Sequence, residues 1–392
     1  MSRTWVGIFV ACWLSIAVGA AVGPRRVGVG DARHYLLMAR AGAAAAPAPF
    51  GYRVFAPAIV ASLPLAPESG FFLLTYLASG ACLLVTRRLL RALGIGANAA
   101  LATVALLGVS YPIAFYLGNW GLIDPLANLF ALCALTAVVE RRWVVAGIAL
   151  ALGCLAKETV LLLLPLCLGQ AATAPGSAHR RAARTLVLAA APLAVFLALH
   201  AAVTPVNSPG STLHVASVAG LLGRPHTVLS YNTTGFGLAA RVGREVVRAF
   251  GFFWVVGALG VVLLPVRLRL ACGCLLLMAV GLCLVAADWS RMLAWAYPAV
   301  FVPVACFVEA AWGKGRRATA GLVALGALAV VQAYLALLAY NDLGAGARGL
   351  LVGATVAVFV AGSAIAIAIR PERTHDATPA PGINVGSARP IA

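Results

Sequence analysis

Charge is what this sequence has least of. Only 10% of its 392 residues are charged, 11 of them acidic, against 62% hydrophobic and a mean hydropathy of +0.98. A soluble chain of this length has no use for so much apolar surface. A bundle of membrane spans does, because each span needs about 20 predominantly apolar residues. Apolar–polar alternation is missing too, which excludes a membrane β-barrel. Lysine occurs only at Lys157 and Lys314, so the net charge of +18 is carried by arginine. Cysteine forms no framework: Cys12, Cys82, Cys133, Cys154, Cys167, Cys272, Cys274, Cys283 and Cys306 all fall inside apolar runs. They read as small packing residues, and no structural disulfide is expected. No internal repeat occurs, and no set of ligands stands at metal spacing.

What is present is arginine in clusters: Arg87/Arg88/Arg91, Arg141/Arg142, Arg180/Arg181/Arg184, Arg267/Arg269, Lys314/Arg316/Arg317 and Arg370/Arg373. If each cluster is cytoplasmic, as the positive-inside bias demands, two spans fit between successive clusters. The spans fall at about 5–22, 70–86, 98–117, 125–140, 143–156, 159–174, 185–203, 249–266, 270–286, 292–311, 318–340 and 349–369. The expected fold is an all-α integral membrane protein, a polytopic bundle of about 12 transmembrane helices with interfacial helices in the first outer loop. Residues 1–370 make the bundle, 23–69 and 204–248 are long outer loops, and 371–392 form a polar, proline-rich, disordered cytoplasmic tail. The first span reads as an uncleaved anchor, with both termini cytoplasmic. Seventeen of the 29 basic residues fall on the cytoplasmic side, so the charge needs no nucleic acid to explain it. The arginine- and alanine-rich composition points to a bacterium with a GC-rich genome, and hence to the inner (plasma) membrane.

Most of the remaining carboxylates then lie outside. Residues 31–42 read as a short interfacial helix with Asp31, His34, Tyr35 and Met38 on one face. Residues 53–63 read as a second one, interrupted by Pro57. Asp31 is either a helix N-cap or a general base taking the proton of an acceptor hydroxyl. Asp124-Pro125 is a helix-start signature, or else Asp124 is a second carboxylate at a sugar or ion. Trp143 to Ala156 is only 14 residues, about 21 Å of helix. Lys157 and Glu158 therefore lie either at a short, tucked hairpin or below the outer surface, where an ionisable pair is a functional candidate. The two could bind phosphate or neutralise each other. Asp288, Trp289 and Arg291, followed by Trp295 and Tyr297, fit an aromatic belt with a snorkelling arginine or a lipid-phosphate contact. Arg224, His226, Arg241, Arg244 and Arg248, with Arg25, Arg26, Arg33, Arg40 and Arg53, form an outer basic set suited to phosphate oxygens or to anionic headgroups.

Five segments carry a resemblance: Gly30-Asp31-Ala-Arg-His-Tyr35, Pro49-Phe50-Gly-Tyr52-Arg53-Val-Phe-Ala-Pro57, Gly121-Leu-Ile-Asp124-Pro125, Cys154-Leu-Ala-Lys157-Glu158-Thr159 and Ala287-Asp288-Trp-Ser-Arg291-Met292. In this order and on this side the chain resembles the GT-C superfamily, polytopic glycosyltransferases that use polyprenyl-phosphate sugars. The resemblance implies an inverting single displacement, with Asp31 as catalytic base. Asp31 has no acidic neighbour, unlike many members, and the expected architecture lacks the soluble outer C-terminal domain that many members carry. The expected substrate contacts are His34, Tyr35, Arg53, Asp124, Lys157, Glu158, Asp288 and Arg291. The donor would be a polyprenyl-phosphate-linked sugar, the acceptor a glycan, lipid or protein, and the surroundings membrane lipids. No organic cofactor is required, and a divalent cation has room in the scheme without a ligand cluster to support it. Three other classes compete: an O-antigen polymerase or ligase-like enzyme using the late basic loop, a transporter or lipid flippase, and a structural membrane protein. A transporter would place its ionisable residues near mid-span rather than at outer ends.

Overall fold

The computed structural model describes residues 30–47, 49–204, 206, 236–283, 288–312, 315–338 and 345–370, together with Gly7 and Val10. The predicted first span, Arg25 and Arg26, Arg224 and His226 in the second outer loop, and the tail lie outside the described residues.

Every regular element among the described residues is helical. In chain order they are α1 (Asp31–Ala41), α2 (Phe55–Ser62), α3 (Pro67–Ala92), α4 (Ala97–Gly108), α5 (Tyr111–Gly118), α6 (Asp124–Val139), α7 (Trp143–Ala156), α8 (Leu164–Thr173) and α9 (Ala178–Ala202). After the second loop come α10 (Phe236–Phe250), α11 (Phe253–Val261), α12 (Val266–Cys283), α13 (Trp289–Trp295), α14 (Tyr297–Trp312), α15 (Arg316–Leu338) and α16 (Ala345–Ala368). Short 3₁₀ turns stand at Ala43–Ala45, Phe50–Tyr52 and Glu158–Leu163. Five helices are long and apolar enough to cross a membrane: α3, α9, α12, and the stretches Arg317–Leu335 and Gly349–Ala368. The bent pairs α4/α5 (41°) and α13/α14 (58°) bring the number to seven if each is one span. Pro112 and Pro298 stand second in α5 and α14, where a missing N–H and a ring clash stop the preceding helix from running straight on. Helices α6, α7 and the stretch Glu158–Thr173 are apolar but shorter.

The chain divides into two compact units. The first comprises residues 25–85 and 119–227. In it α6 and α7 form a hairpin whose turn holds Arg141 in a left-handed conformation (φ 60°), a position where the Cβ is strained. Gly147 lets α7 approach the backbone of α9, since a Cβ there would sit 2.8 Å from the Val187 carbonyl oxygen. Helix α1 buries Ala32, Tyr35, Leu36 and Met38, half-buries Asp31 and His34, and exposes Arg33, Leu37 and Arg40. Pro57 does not interrupt α2: it lies in the first turn, where its missing N–H would have had no helical partner.

The second unit comprises residues 1–24, 86–118 and 228–392. The span predicted at 249–266 is broken there. Helix α10 ends at Phe250, Gly251 turns with φ 51°, and α11 is only nine residues. Gln332 on α15 closes the break by accepting from the Phe252 N–H at 3.3 Å. Gly257 and Gly260, one turn apart on α11, seat it against the backbone of α14 at Val300 and Pro303. Glu309 accepts from the Gly96 N–H at 2.7 Å and so caps the start of α4.

Candidate active site

The site is built where α1 and the Phe50–Arg53 segment of the first unit meet the turn after α7. Gly153 makes this turn possible. A Cβ there would fall 2.6 Å from the Val160 Cγ1, so only glycine lets the 3₁₀ turn fold back on α7. Between the two elements Lys157 is extended (φ −163°, ψ 128°). In extended backbone, successive side chains point to opposite faces. Lys157 and Glu158 accordingly take different hydrogen-bond partners. The Lys157 Nζ donates to the Asp124 Oδ1 at 2.6 Å, and both side chains are buried, at 5% and 6% exposure. Glu158 turns the other way, 32% exposed, and accepts from Arg53 through both oxygens, Nε–Oε2 at 2.9 Å and Nη2–Oε1 at 2.5 Å. This is the bidentate fork that makes arginine–carboxylate pairs strong.

Arg53 reaches further. Its Nη1 donates to the Tyr35 hydroxyl at 2.8 Å, and its guanidinium lies 5.3 Å from the centre of the Phe50 ring. Phe50 stacks on His34 at 4.3 Å and meets Tyr35 edge-on at 5.8 Å. The His34 Nε2 accepts from the Arg33 side chain at 3.4 Å. Burial, then the Arg33 charge, hold the His34 imidazole below its usual range, against an opposite pull from Asp31. Asp31 opens α1, and the N-cap position is Gly30 (φ 59°), which offers no side-chain cap. Asp124 likewise stands inside its helix rather than at the cap, with Pro125 following and its carboxylate turned to Lys157. Loop residue Gly121 touches α1: a Cβ there would be 2.5 Å from the Ala32 Cβ. Tyr52 stacks on His200, in the last turn of α9, at 4.0 Å.

The structure thus joins Tyr35, Arg53 and Glu158 in one network and Lys157 with Asp124 in a second, from neighbouring residues of the same turn. Among the site residues, sequence reasoning passed over Phe50, although it lies in a quoted segment, and His200, for which the sequence carries no signal. Asp288 and Arg291 belong to the second unit. There Asp288 caps α13, its Oδ1 accepting from the Arg291 N–H at 3.3 Å and from the Ser290 hydroxyl at 3.2 Å. The Ser290 and Tyr111 hydroxyls are 2.9 Å apart, and the Arg248 guanidinium lies 5.7 Å from the centre of the Tyr111 ring. Trp289, Arg291 and Trp295 are buried at 7%, 7% and 8% exposure. An aromatic belt with a snorkelling arginine would face lipid and headgroups, so that reading does not hold here. Among the described residues no three His, Cys, Asp or Glu side chains are grouped to hold a metal ion.

These features define a polytopic helical membrane protein in which one ion pair joins Arg53 to the turn after α7 and a second, buried one joins that turn to α6. No protein-family model matches the chain, and a search of curated proteins finds no match. Among solved structures it is similar to the oligosaccharyltransferase of Archaeoglobus fulgidus in its apo form, with 12% identity, a TM-score of 0.50, and coverage of 95% of this chain and 57% of that one. The same protein tethered to an acceptor peptide containing the NVT sequon through a disulfide bond matches with 13% identity, a TM-score of 0.49, and coverage of 95% and 56%. The chain therefore spans little more than half the length of the protein it resembles, and at this identity the likeness is one of fold.

Proposed function

We propose that the chain is a membrane glycosyltransferase that moves a sugar from a polyprenyl-phosphate donor to an acceptor hydroxyl on the non-cytoplasmic face. The observation that supports this most is the meeting of motif segments. Tyr35, Arg53 and Glu158 bond across up to 105 residues of sequence, and Lys157 bonds to Asp124. In this reading the chain crosses the inner (plasma) membrane of a bacterium about twelve times with both termini cytoplasmic, and the acceptor is a glycan, lipid or protein.

Asp31 acts as general base. The acceptor oxygen attacks the anomeric carbon from the side opposite the lipid phosphate. Its proton passes to the Asp31 carboxylate, and the bond to the phosphate oxygen breaks with its electron pair, giving inversion. Lipid phosphate is a fair leaving group, and in this reading arginines of the outer set with Lys157 hold its charge. Asp124 orients Lys157. His34, Tyr35 and Glu158 border the sugar.

The test uses the full chain in lipid nanodiscs with a panel of labelled polyprenyl-phosphate sugars, reading release of free polyprenyl phosphate. Wild type should turn over one donor, and Asp31→Asn should lose about 10²–10⁴-fold in kcat, the usual contribution of a general base, with an unchanged unfolding midpoint. Equal turnover by both would move the chemistry to the late basic loop.

A further inference from the structure

The Arg53 guanidinium is where three separate segments meet, and among the described residues it is buried and bonded to two of them. It is 8% exposed. Its fork already grips Glu158, and its Nη1 donates to Tyr35, which is fully buried. We propose that Arg53 is a positioning residue that clamps α1, and with it Asp31, to the turn beginning at Glu158.

Two routes lead from Arg53 to α1. One is the hydrogen bond to Tyr35. The other passes through Phe50, which lies under the guanidinium on one side and stacks on His34. His34 and Tyr35 stand three and four residues after Asp31, one helical turn on, so fixing them fixes the start of the helix. The start has no side-chain cap of its own at Gly30. Arg53 is itself held in place by its N–H, which donates to the Phe50 carbonyl at 2.9 Å and closes the 3₁₀ turn. A lysine would keep the charge but could not grip both Glu158 oxygens and Tyr35 at once, because an ammonium is a point charge without the planar fork.

What Asp31 does rests on the transferase reading, whereas the clamp is a statement about α1. The experiment separates them. Full-length protein in nanodiscs is prepared as wild type, Arg53→Lys, Glu158→Gln and Tyr35→Phe. Amide hydrogen exchange is followed over residues 31–41, with α14 as an internal reference. Arg53→Lys and Glu158→Gln should speed exchange in α1 by about tenfold or more, as expected for losing a charge-assisted bidentate bond, and Tyr35→Phe by less. The reference helix should not change. With a donor that wild type uses, Arg53→Lys should lower kcat by about tenfold or more while the donor KM stays within about threefold, the pattern of a misplaced catalytic group rather than a lost ligand. Unchanged protection of α1 would overturn the clamp, as would a raised donor KM at constant kcat, which would make Arg53 a donor ligand. If Arg53→Lys does not yield folded protein, Glu158→Gln and Tyr35→Phe decide by hydrogen exchange in α1 alone. Wild type silent on every donor would count against the transferase reading and leave the exchange comparison to judge the clamp.

Discussion

At the scale of single residues, His34 carries the clearest pH dependence. Its imidazole is held below the usual 6.5, first by burial and then by Arg33. The folded state therefore disfavours the imidazolium more than the unfolded state does. The stability this represents is complete above the unfolded value and is lost as pH falls through the folded one. The unfolding midpoint of wild type should drop between pH 7 and pH 5 more than that of His34→Phe, which keeps a ring on Phe50 but cannot titrate. Parallel pH profiles for the two proteins would show that His34 contributes nothing. The candidate residues themselves were legible, because charged and aromatic groups at the ends of apolar runs are conspicuous. Their partners were not. Adjacency in sequence invites pairing Lys157 with Glu158, but the extended backbone at Lys157 sends the two side chains apart, to Asp124 and Arg53. A single φ/ψ pair decided this, and no local composition announces it.

At the scale of elements, hydropathy located helices well and their breaks poorly. Trp143–Ala156 has the boundaries that composition predicts. The predicted spans at 98–117, 249–266 and 292–311 each contain a bend or a turn, at Ser110, Gly251 and Ala296. An apolar run shows how much chain can be buried, whereas a proline or a glycine inside it acts through geometry that hydropathy averages away. Gly153 is such a residue, and its role can be measured. Gly153→Ala places a methyl 2.6 Å from the Val160 Cγ1, and overpacking of this kind costs about 1–3 kcal/mol. Val160→Ala should relieve it. The double variant is expected to unfold at a higher temperature than the two single effects predict when summed, with a coupling of about 1 kcal/mol or more. Strict additivity would mean that the turn after α7 has room to spare and that glycine is not what shapes it.

At the scale of the whole molecule, the helical character of the described apolar runs was legible, but which helices join which was not, since the first unit is assembled from 25–85 and 119–227 through pairings as distant as Arg53 with Glu158. Sidedness is a different matter, because three helices of this unit record it in their own sequences. Helix α6 starts at Asp124 and runs to the turn holding Arg141, while α7 starts after Arg142 and ends at Lys157. Helix α9 carries Arg180, Arg181 and Arg184 in its first turns and ends at His200 stacked on Tyr52. In all three, the arginine cluster lies at one end and the candidate site at the other. The proposed topology, drawn from the positive-inside bias, has the clusters in the cytoplasm and the site across the membrane, on the side where the proposed lipid-linked donor would be used. This predicts that an impermeant thiol reagent added to intact cells labels Arg33→Cys and His226→Cys but labels Arg181→Cys only after the membrane is opened, against the background set by the native cysteines. Arg33 and Arg181 are both exposed side chains, so access is decided by side and not by burial. Labelling of Arg181→Cys in sealed cells would invert the molecule, place Asp31 in the cytoplasm, and leave the proposed transfer without its face of the membrane.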